Sequence, residues 1–566
     1  MAALLALICL ALFYFLGYRG WSAHLARKVF QLASDEPTPA HDPELRDDVD
    51  YMPVERKILW GHHYTSIAGA APIIGPGVAV IWGWLPALLW VVFGTIFIGA
   101  AHDFGALVLS ARHRGRTMGD LAGVVIHPRV RVLFQLVIYF LIWVVMAVFA
   151  FAIGALFTRY PASVIPVNFE ILVALVIGWL FYKKKVPIFW PSVIALGLLY
   201  AMVALGIRMP LSFPEQGVLG QPPIIVWALL LILYSAVASV LPVWTLLQPR
   251  DYINSHQLIV GLGALVLGLL VLRPPMHAPA INDAATGAPP LFPLLFVTIA
   301  CGAISGFHGL VSSGTTAKQL SSMGDARAIG YGGMLGEGSL AVIATLAVAA
   351  GLPDWHVHYG SWNASGVNAI GHFVNGAGTF LQALGLPLNW AHAVVAVLAI
   401  SFAATSMDTG ARIQRLVVSE LGEAIGLRFL KNRFLATIVA VGPSIPLVLA
   451  GVEVWTPLWL LFGTTNQLIG GITLLVLFVY LFRARRPVWQ YAVPLLFLVV
   501  MTTGAMVANL LSWTNRLGAE GAKANLLTIV LGSIILILEV WMIVEAALVV
   551  RQLARQRERD AAQATE

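Results

Sequence analysis

The run Gly69-Ala70-Ala71-Pro72-Ile73-Ile74-Gly75-Pro76-Gly77 interrupts an apolar segment of transmembrane length near its middle, and Cys301-Gly302-Ala303-Ile304-Ser305-Gly306-Phe307-His308-Gly309 interrupts a second. In hydrocarbon an unpaired backbone N–H or C=O costs several kcal/mol, so an unwound helix survives only where those groups face protein, water, an ion or a substrate. A pair of broken helices is the sequence signal for the central site of a secondary transporter.

The rest of the chain fits a membrane. Of 566 residues, 59% are hydrophobic and 11% charged, and the mean hydropathy is +0.85; a soluble protein carries about 25% charged residues. The net charge of +7 sits in short loops between apolar runs, where it sets orientation and leaves no basic face for nucleic acid. Cys9 and Cys301 are the only cysteines; both lie in apolar segments and read as small packing residues, with no disulfide framework or CxxC metal site. The first twenty residues read as a retained helix, since no positive charge precedes the apolar stretch and no A-x-A site follows it.

A span needs about 20 apolar residues. On that criterion the chain is an all-α polytopic membrane protein of about fifteen helices, over 2–20, 64–82, 83–110, 130–157, 167–183, 186–207, 223–247, 256–273, 291–313, 330–351, 390–411, 433–450, 457–483, 487–511 and 525–551. With the N-terminus outside, 29 of the 34 Lys and Arg fall in inner loops and the C-terminal tail, as the positive-inside rule requires. The broken segments 64–82 and 291–313 then run in opposite directions. Five helices from each form an inverted-topology pair. This divides the chain into a peripheral helix and amphipathic stretch (1–33), an acidic cytoplasmic connector (34–63), a first repeat (64–207), a linker pair and outer loop (208–290), a second repeat (291–483), and two peripheral helices with a cytoplasmic tail (484–566). In the outer stretch 352–389, Gly366 to Leu386 reads as a glycine-punctuated hairpin that either caps an entrance or is an ordinary surface loop.

Three runs carry a family resemblance: Trp60-Gly61-His62-His63-Tyr64-Thr65-Ser66 through Pro76; Ala300 to His308 with Ser312-Ser313-Gly314-Thr315-Thr316; and Ser406-Met407-Asp408-Thr409 with Arg412 and Arg415. Together they resemble the signatures of the carbon starvation protein A family, and the likeness extends over most of the chain. The resemblance implies a bacterial inner-membrane protein with an inverted-repeat core, similar to the amino acid, polyamine and organocation transporters. It also implies import of peptides during carbon starvation or proton-driven import of pyruvate.

The candidate site residues follow from the breaks and from buried polarity. Pro76 lacks an N–H and suits the first position of an outer half-helix, whose N-terminus would seat a carboxylate; Gly69, Pro72, Gly75 and Gly77 shape that stretch, and a glycine-packed proline kink is the alternative. Gly302, Ser305, Gly306 and His308 line the second break. A hydroxyl there serves an ion path or merely back-bonds to the preceding turn, whereas His308 can carry a proton near neutral pH. Asn466 and Gln467, beside Thr464 and Thr465, either line the substrate path or bond neighbouring helices. Asp103, Glu337 and Asp408 are acids at membrane depth and hence coupling-group candidates, although Asp408 has Arg412 at i+4 as a structural partner. Were the ion sodium, Thr405 and Ser406 would be its oxygens. Adjacent His62 and His63 share no helix face and suggest no metal, and no cofactor is called for. Arg250-Asp251, after Pro249, reads as an interfacial anchor. Glu539 and Glu545, in the last helix, suggest a homo-oligomer contact or an amphipathic surface.

The leading function is a secondary-active importer, with a small-molecule substrate and a coupling ion, a proton in preference to sodium. No HExxH, GxSxG or Walker sequence supports an enzyme. A passive channel is the competing reading, since broken helices occur there too.

Overall fold

Where the chain stays apolar for some twenty residues it is helical, because a backbone in hydrocarbon must satisfy its own N–H and C=O groups. A computed structural model describes residues 1–187, 189–362, 368–517 and 522–563. Among these, twelve helices are long and apolar enough to span a membrane: α1 (Ala2–Val29), α4 (Trp84–Arg112), α5 (Pro128–Arg159), α6 (Pro161–Lys184), α7 (Phe189–Arg208), α8 (Pro223–Val240), α9 (Leu247–Leu272), α12 (Met323–Gly351), α14 (Leu388–Ala424), α16 (Val452–Arg483), α17 (Trp489–Asn515) and α18 (Leu526–Arg559). Another span is bent by 45° at a break between α2 (Arg56–Ile67) and α3 (Ala71–Trp82). The second broken segment comprises α10 (Leu291–Thr298), an unwound stretch 299–305, and α11, helical over 306–319. Two shorter helices, α13 (Ala369–Gln382) and α15 (Arg433–Leu449), complete the frame. The chain is a multi-span, nearly all-helical membrane protein.

The second break lies where the glycines place it, whereas the first does not. The chain unwinds at Ala68 to Ala70 and is helical from Ala71 to Ala79, with Pro76 inside that helix and Pro72 in its first turn. Gly75 to Gly77 are therefore helical, and Pro72 takes the N-terminal position expected of Pro76. The reason is local: a proline in the first turn gives up an N–H that has no intrahelical partner anyway, while Pro76 leaves only one carbonyl, that of Pro72, without its helical donor.

Pro249 lies in the first turn of a helix. Gln248, Pro249, Arg250 and Asp251 form the first turn of α9 and are buried, so Arg250-Asp251 is not an interfacial anchor. At the opposite end of the bundle, Tyr359 donates to Gly77 O at 2.8 Å, and Gly376 packs so closely on α12 that an added Cβ would lie 2.0 Å from Ala347 O. The excursion's described residues 352–362 and 368–389 are thus tied down over α3 and α12; Gly366, named for its hairpin, lies outside the described residues. Glu539 does not reach a second chain's surface: it is buried against α17 and accepts a bond from Thr503 at 3.1 Å.

Candidate functional site

Side chains of neighbouring helices meet the backbone that unwinding frees. Asn466 Nδ2 donates to Ala300 O at 2.6 Å and its Oδ1 accepts from Phe307 N at 3.0 Å, while Gln467 Nε2 reaches the carbonyls of Phe296 (2.5 Å) and Ile299 (3.0 Å). Thr95 donates to Gly302 O at 2.6 Å, and Gly302 N donates to Glu337 Oε1 at 3.3 Å. At the first break Ser406 Oγ donates to Ser66 O at 3.1 Å. Asn466, Gln467 and Ser406 therefore hold the breaks open, the partnering that a broken helix in hydrocarbon needs.

The two breaks pack on each other. An added Cβ at Gly75 would lie 2.7 Å from Thr298 O, and one at Gly302 would lie 3.6 Å from Pro72. Gly302 has φ +83°, which an L side chain adopts only at a cost. Gly69 meets Ser406, Gly77 has room around it, and Gly306 faces the backbone of α16 at Asn466 and Gly470. Gly306 thus serves close helix packing.

Unwinding at 299–305 lets α11 begin at Gly306, with Ser305 O accepting from His308 N at 3.2 Å. This places the His308 ring between α4 and α12. Its Nδ1 lies 3.0 Å from Asp103 Oδ2; its Nε2 lies 3.2 Å from Glu337 Oε2, within ion-pair distance though not aligned as a hydrogen bond, and 3.3 Å from Cys301 Sγ. His102 Nδ1 contacts Asp103 Oδ1 at 2.7 Å. All four side chains of Asp103, His102, His308 and Glu337 are inaccessible to solvent. Asp103, His308 and Glu337, separate candidates in the sequence, form one buried cluster.

Chemically the cluster must hold protons. With neutral imidazoles and two carboxylates it carries two buried negative charges, whose burial costs several kcal/mol each. A neutral ring, moreover, has only one N–H: donated from Nδ1 to Asp103, it leaves Nε2 to accept from the Cys301 thiol and leaves Glu337 Oε2 without a donor. Either the imidazole or a carboxylate must be protonated. Cys301, His308 and Glu337 also present ligand atoms within 4.8 Å of one another, the donor set a thiophilic divalent ion would use if it displaced that proton.

Asp408 belongs to a different network. It pairs with Arg250, not with Arg412, and accepts bonds from Tyr234 (3.0 Å) and Ser235 (3.1 Å). Arg250 Nη2 and Asn254 Nδ2 both donate to Thr405 Oγ1, at 2.7 and 2.9 Å, and Ser401 donates to Glu170 Oε2 at 2.8 Å. Thr405 is thus engaged with a guanidinium and an amide. Glu170 goes unnamed in the sequence analysis, and Arg250, expected there as an interfacial anchor, belongs to this network. A lone carboxylate in the apolar run of α6, and a proline suited to a helix start just before Arg250, were the available signals. His62 Nδ1 meets Asp251 Oδ2 at 2.5 Å and His63 Nδ1 meets Thr316 Oγ1 at 2.9 Å, each with a partner of its own.

Arg412 instead binds Asp50 of the connector at 2.9 Å. Val54 N donates to Gln319 O at 3.1 Å, and Lys318 lies over the Tyr51 ring at 5.2 Å, so the acidic connector straps the basic ends of α11 and α14. Burial pushes the Asp50 carboxyl up, but Arg412, Lys318 and Arg415 outweigh it and hold the group below the usual carboxylate range.

The profile of the carbon starvation protein CstA family matches residues 1–365 and 358–505. The Mycobacterium tuberculosis (strain ATCC 25618 / H37Rv) protein named peptide transporter CstA is 32% identical over 578 residues, covering 90% of this chain and 74% of that one. The Escherichia coli (strain K12) protein named pyruvate/proton symporter BtsT is 30% identical over 590 residues, covering 88% and 80%. Among solved structures, MhsT in complex with L-phenylalanine superposes with a TM-score of 0.50 at 11% identity, covering 87% of this chain and 99% of that one, a likeness of fold alone. On the extent of the family match and the identity to these relatives, the chain belongs to the carbon starvation protein CstA family.

Proposed function

We propose that this protein is a secondary-active importer of small carboxylate-bearing nutrients, peptides or pyruvate, driven by protons carried on the Asp103–His308–Glu337 cluster. The single observation that carries the proposal is the imidazole with a carboxylate 3.0 Å from one nitrogen and 3.2 Å from the other, beside an unwound helix. Such a group gains or loses a proton whenever its surroundings change, and both breaks are buried, so exposing the cluster to either side requires helix movement. The relatives named as a peptide transporter and a pyruvate/proton symporter support the substrate class and the coupling ion. Opposed broken helices, as mates of a five-plus-five inverted repeat, supply the moving parts. The bacterial sources of the relatives support a bacterial inner-membrane setting, and the charge bias supports a periplasmic N-terminus and a cytoplasmic C-terminus. Sodium on Thr405 is the weaker reading, because that hydroxyl already accepts from Arg250 and Asn254.

The test is uptake by reconstituted protein of labelled pyruvate and of labelled dipeptides, with proton and sodium gradients imposed separately. Accumulation of one substrate class under a proton gradient, abolished by an uncoupler, is expected. Accumulation that needs sodium and survives the uncoupler at a fixed sodium gradient would reject proton coupling, and downhill flux without accumulation would make the protein a channel.

A further inference from the structure

A groove of about 650 Å³ lies between α1 and the bundle, against the first two turns of α2. Its two ends differ in chemistry. One is walled by apolar groups, Leu10 and Phe13 of α1, Ile259 of α9 and Leu335 of α12. Arg56, Lys57, Trp60 and Tyr18 gather at the other, and the Arg327 guanidinium lies 4.8 Å from the Tyr18 ring centroid. Asp325, 3.6 Å from Arg56, and Glu55, which acts on the groove-lining Tyr252, offset two of these three cations and leave one net positive charge. Among the described residues no acidic side chain lines the groove.

The groove opens sideways, since Phe189 and Ile259 on its wall are exposed large apolar residues. It does not run on to the unwound stretches of the broken helices. An added Cβ at Gly61 of α2 would lie 2.8 Å from Ser255 of α9, one at Gly336 of α12 would lie 2.6 Å from Tyr64, and Tyr64 Oη donates to Gly336 O at 3.2 Å. These contacts seal it from the His308 cluster.

We infer that this groove is a binding site for an anionic phospholipid, its phosphate held by Arg56 and Lys57 and an acyl chain lying along Leu10, Phe13, Ile259 and Leu335. A water-soluble anion has no use for the apolar half, and a zwitterionic lipid does not balance the surplus positive charge. An acidic phospholipid satisfies both, and basic pockets between helices at the cytoplasmic face are where such headgroups bind. Aromatic rings at the headgroup level fit the same boundary. The seated lipid would rest on Trp60 and brace the inner half of the first broken helix. The inference depends on the chain spanning a membrane and not on what it transports.

Native mass spectrometry of the purified full chain, incubated with phosphatidylglycerol or phosphatidylcholine, tests it. Phosphatidylglycerol should be retained in clear preference. Arg56→Gln with Lys57→Gln should reduce that retention by on the order of tenfold or more, whereas Arg551→Gln with Arg555→Gln in the last turns of α18 should leave it unchanged. Ile259→Trp, which fills the groove and keeps both cations, should displace the lipid as well and serves if the charge variant fails to fold. Equal retention of the two lipids, undiminished phosphatidylglycerol binding in the groove variants, or displacement of the lipid by glycerol 3-phosphate alone would overturn the inference.

Discussion

A neutral imidazole offers one N–H, yet His308 faces an acid on each side; the charge state of this one residue is therefore tied to those of Asp103 and Glu337. Asp408 is the contrasting case. It is fully buried, but Arg250 pairs with it and two hydroxyls donate to it, a set of partners that fits a structural role. Asp408→Asn should leave the buried Arg250 without its paired carboxylate, and breaking such a pair costs about 3–5 kcal/mol. The expected outcome is a large drop in thermal stability and folded yield. A variant of wild-type stability that had lost only its gradient-driven accumulation would return Asp408 to the coupling groups. Glutamine at Arg412, whose partner is Asp50 on the connector, should loosen the strap with the core intact.

At the scale of elements, the breaks and the strap make separate predictions. Gly302→Ala places a Cβ at φ +83° and 2.6 Å from Ala341 Cβ, so it should destabilise by about 1–3 kcal/mol; Gly77→Ala, with its nearest atom 3.7 Å away, should be tolerated. Thermal unfolding of both variants checks the contrast. For the strap, the folded value of Asp50 is lowered, so its stabilising contribution is complete above the ordinary carboxylate value near 4 and is lost as the pH falls through the lowered one. Limited proteolysis of the 34–57 connector should then be constant from about pH 5.5 to 8 and should speed up throughout that range in Asp50→Asn.

Much of this level was legible in the sequence. Long apolar runs gave the spans, and the Gly302 to Gly306 break falls where its glycines are. The first break was misplaced because two prolines competed for one role, and a helix tolerates a single missing interior donor at Pro76 better than an unwound Gly75, which packs on Thr298. Asp103, His308 and Glu337 were each visible as costly residues at membrane depth. Their mutual contact was not, since pairing across helices is fixed by tertiary packing. The same limit explains why Asp408 was matched with its sequence neighbour Arg412 instead of Arg250 on another helix.

At the scale of the whole molecule, two broken helices pack on each other beside a buried cluster of two acids and two imidazoles, with the described parts of 352–389 tied down at one end and the acidic connector at the other. On the proposed mechanism, moving between outward and inward states changes which side the cluster sees, and with it the cluster's protonation. The most direct test compares two modes of transport by the same proteoliposomes: accumulation driven by a pH gradient, and exchange of labelled for unlabelled substrate at equal pH. For Asp103→Asn, His308→Gln and Glu337→Gln, each keeping much of the side chain's shape, the account predicts that at least one abolishes accumulation while leaving exchange largely intact. Normal proton-driven accumulation in all three variants would contradict it.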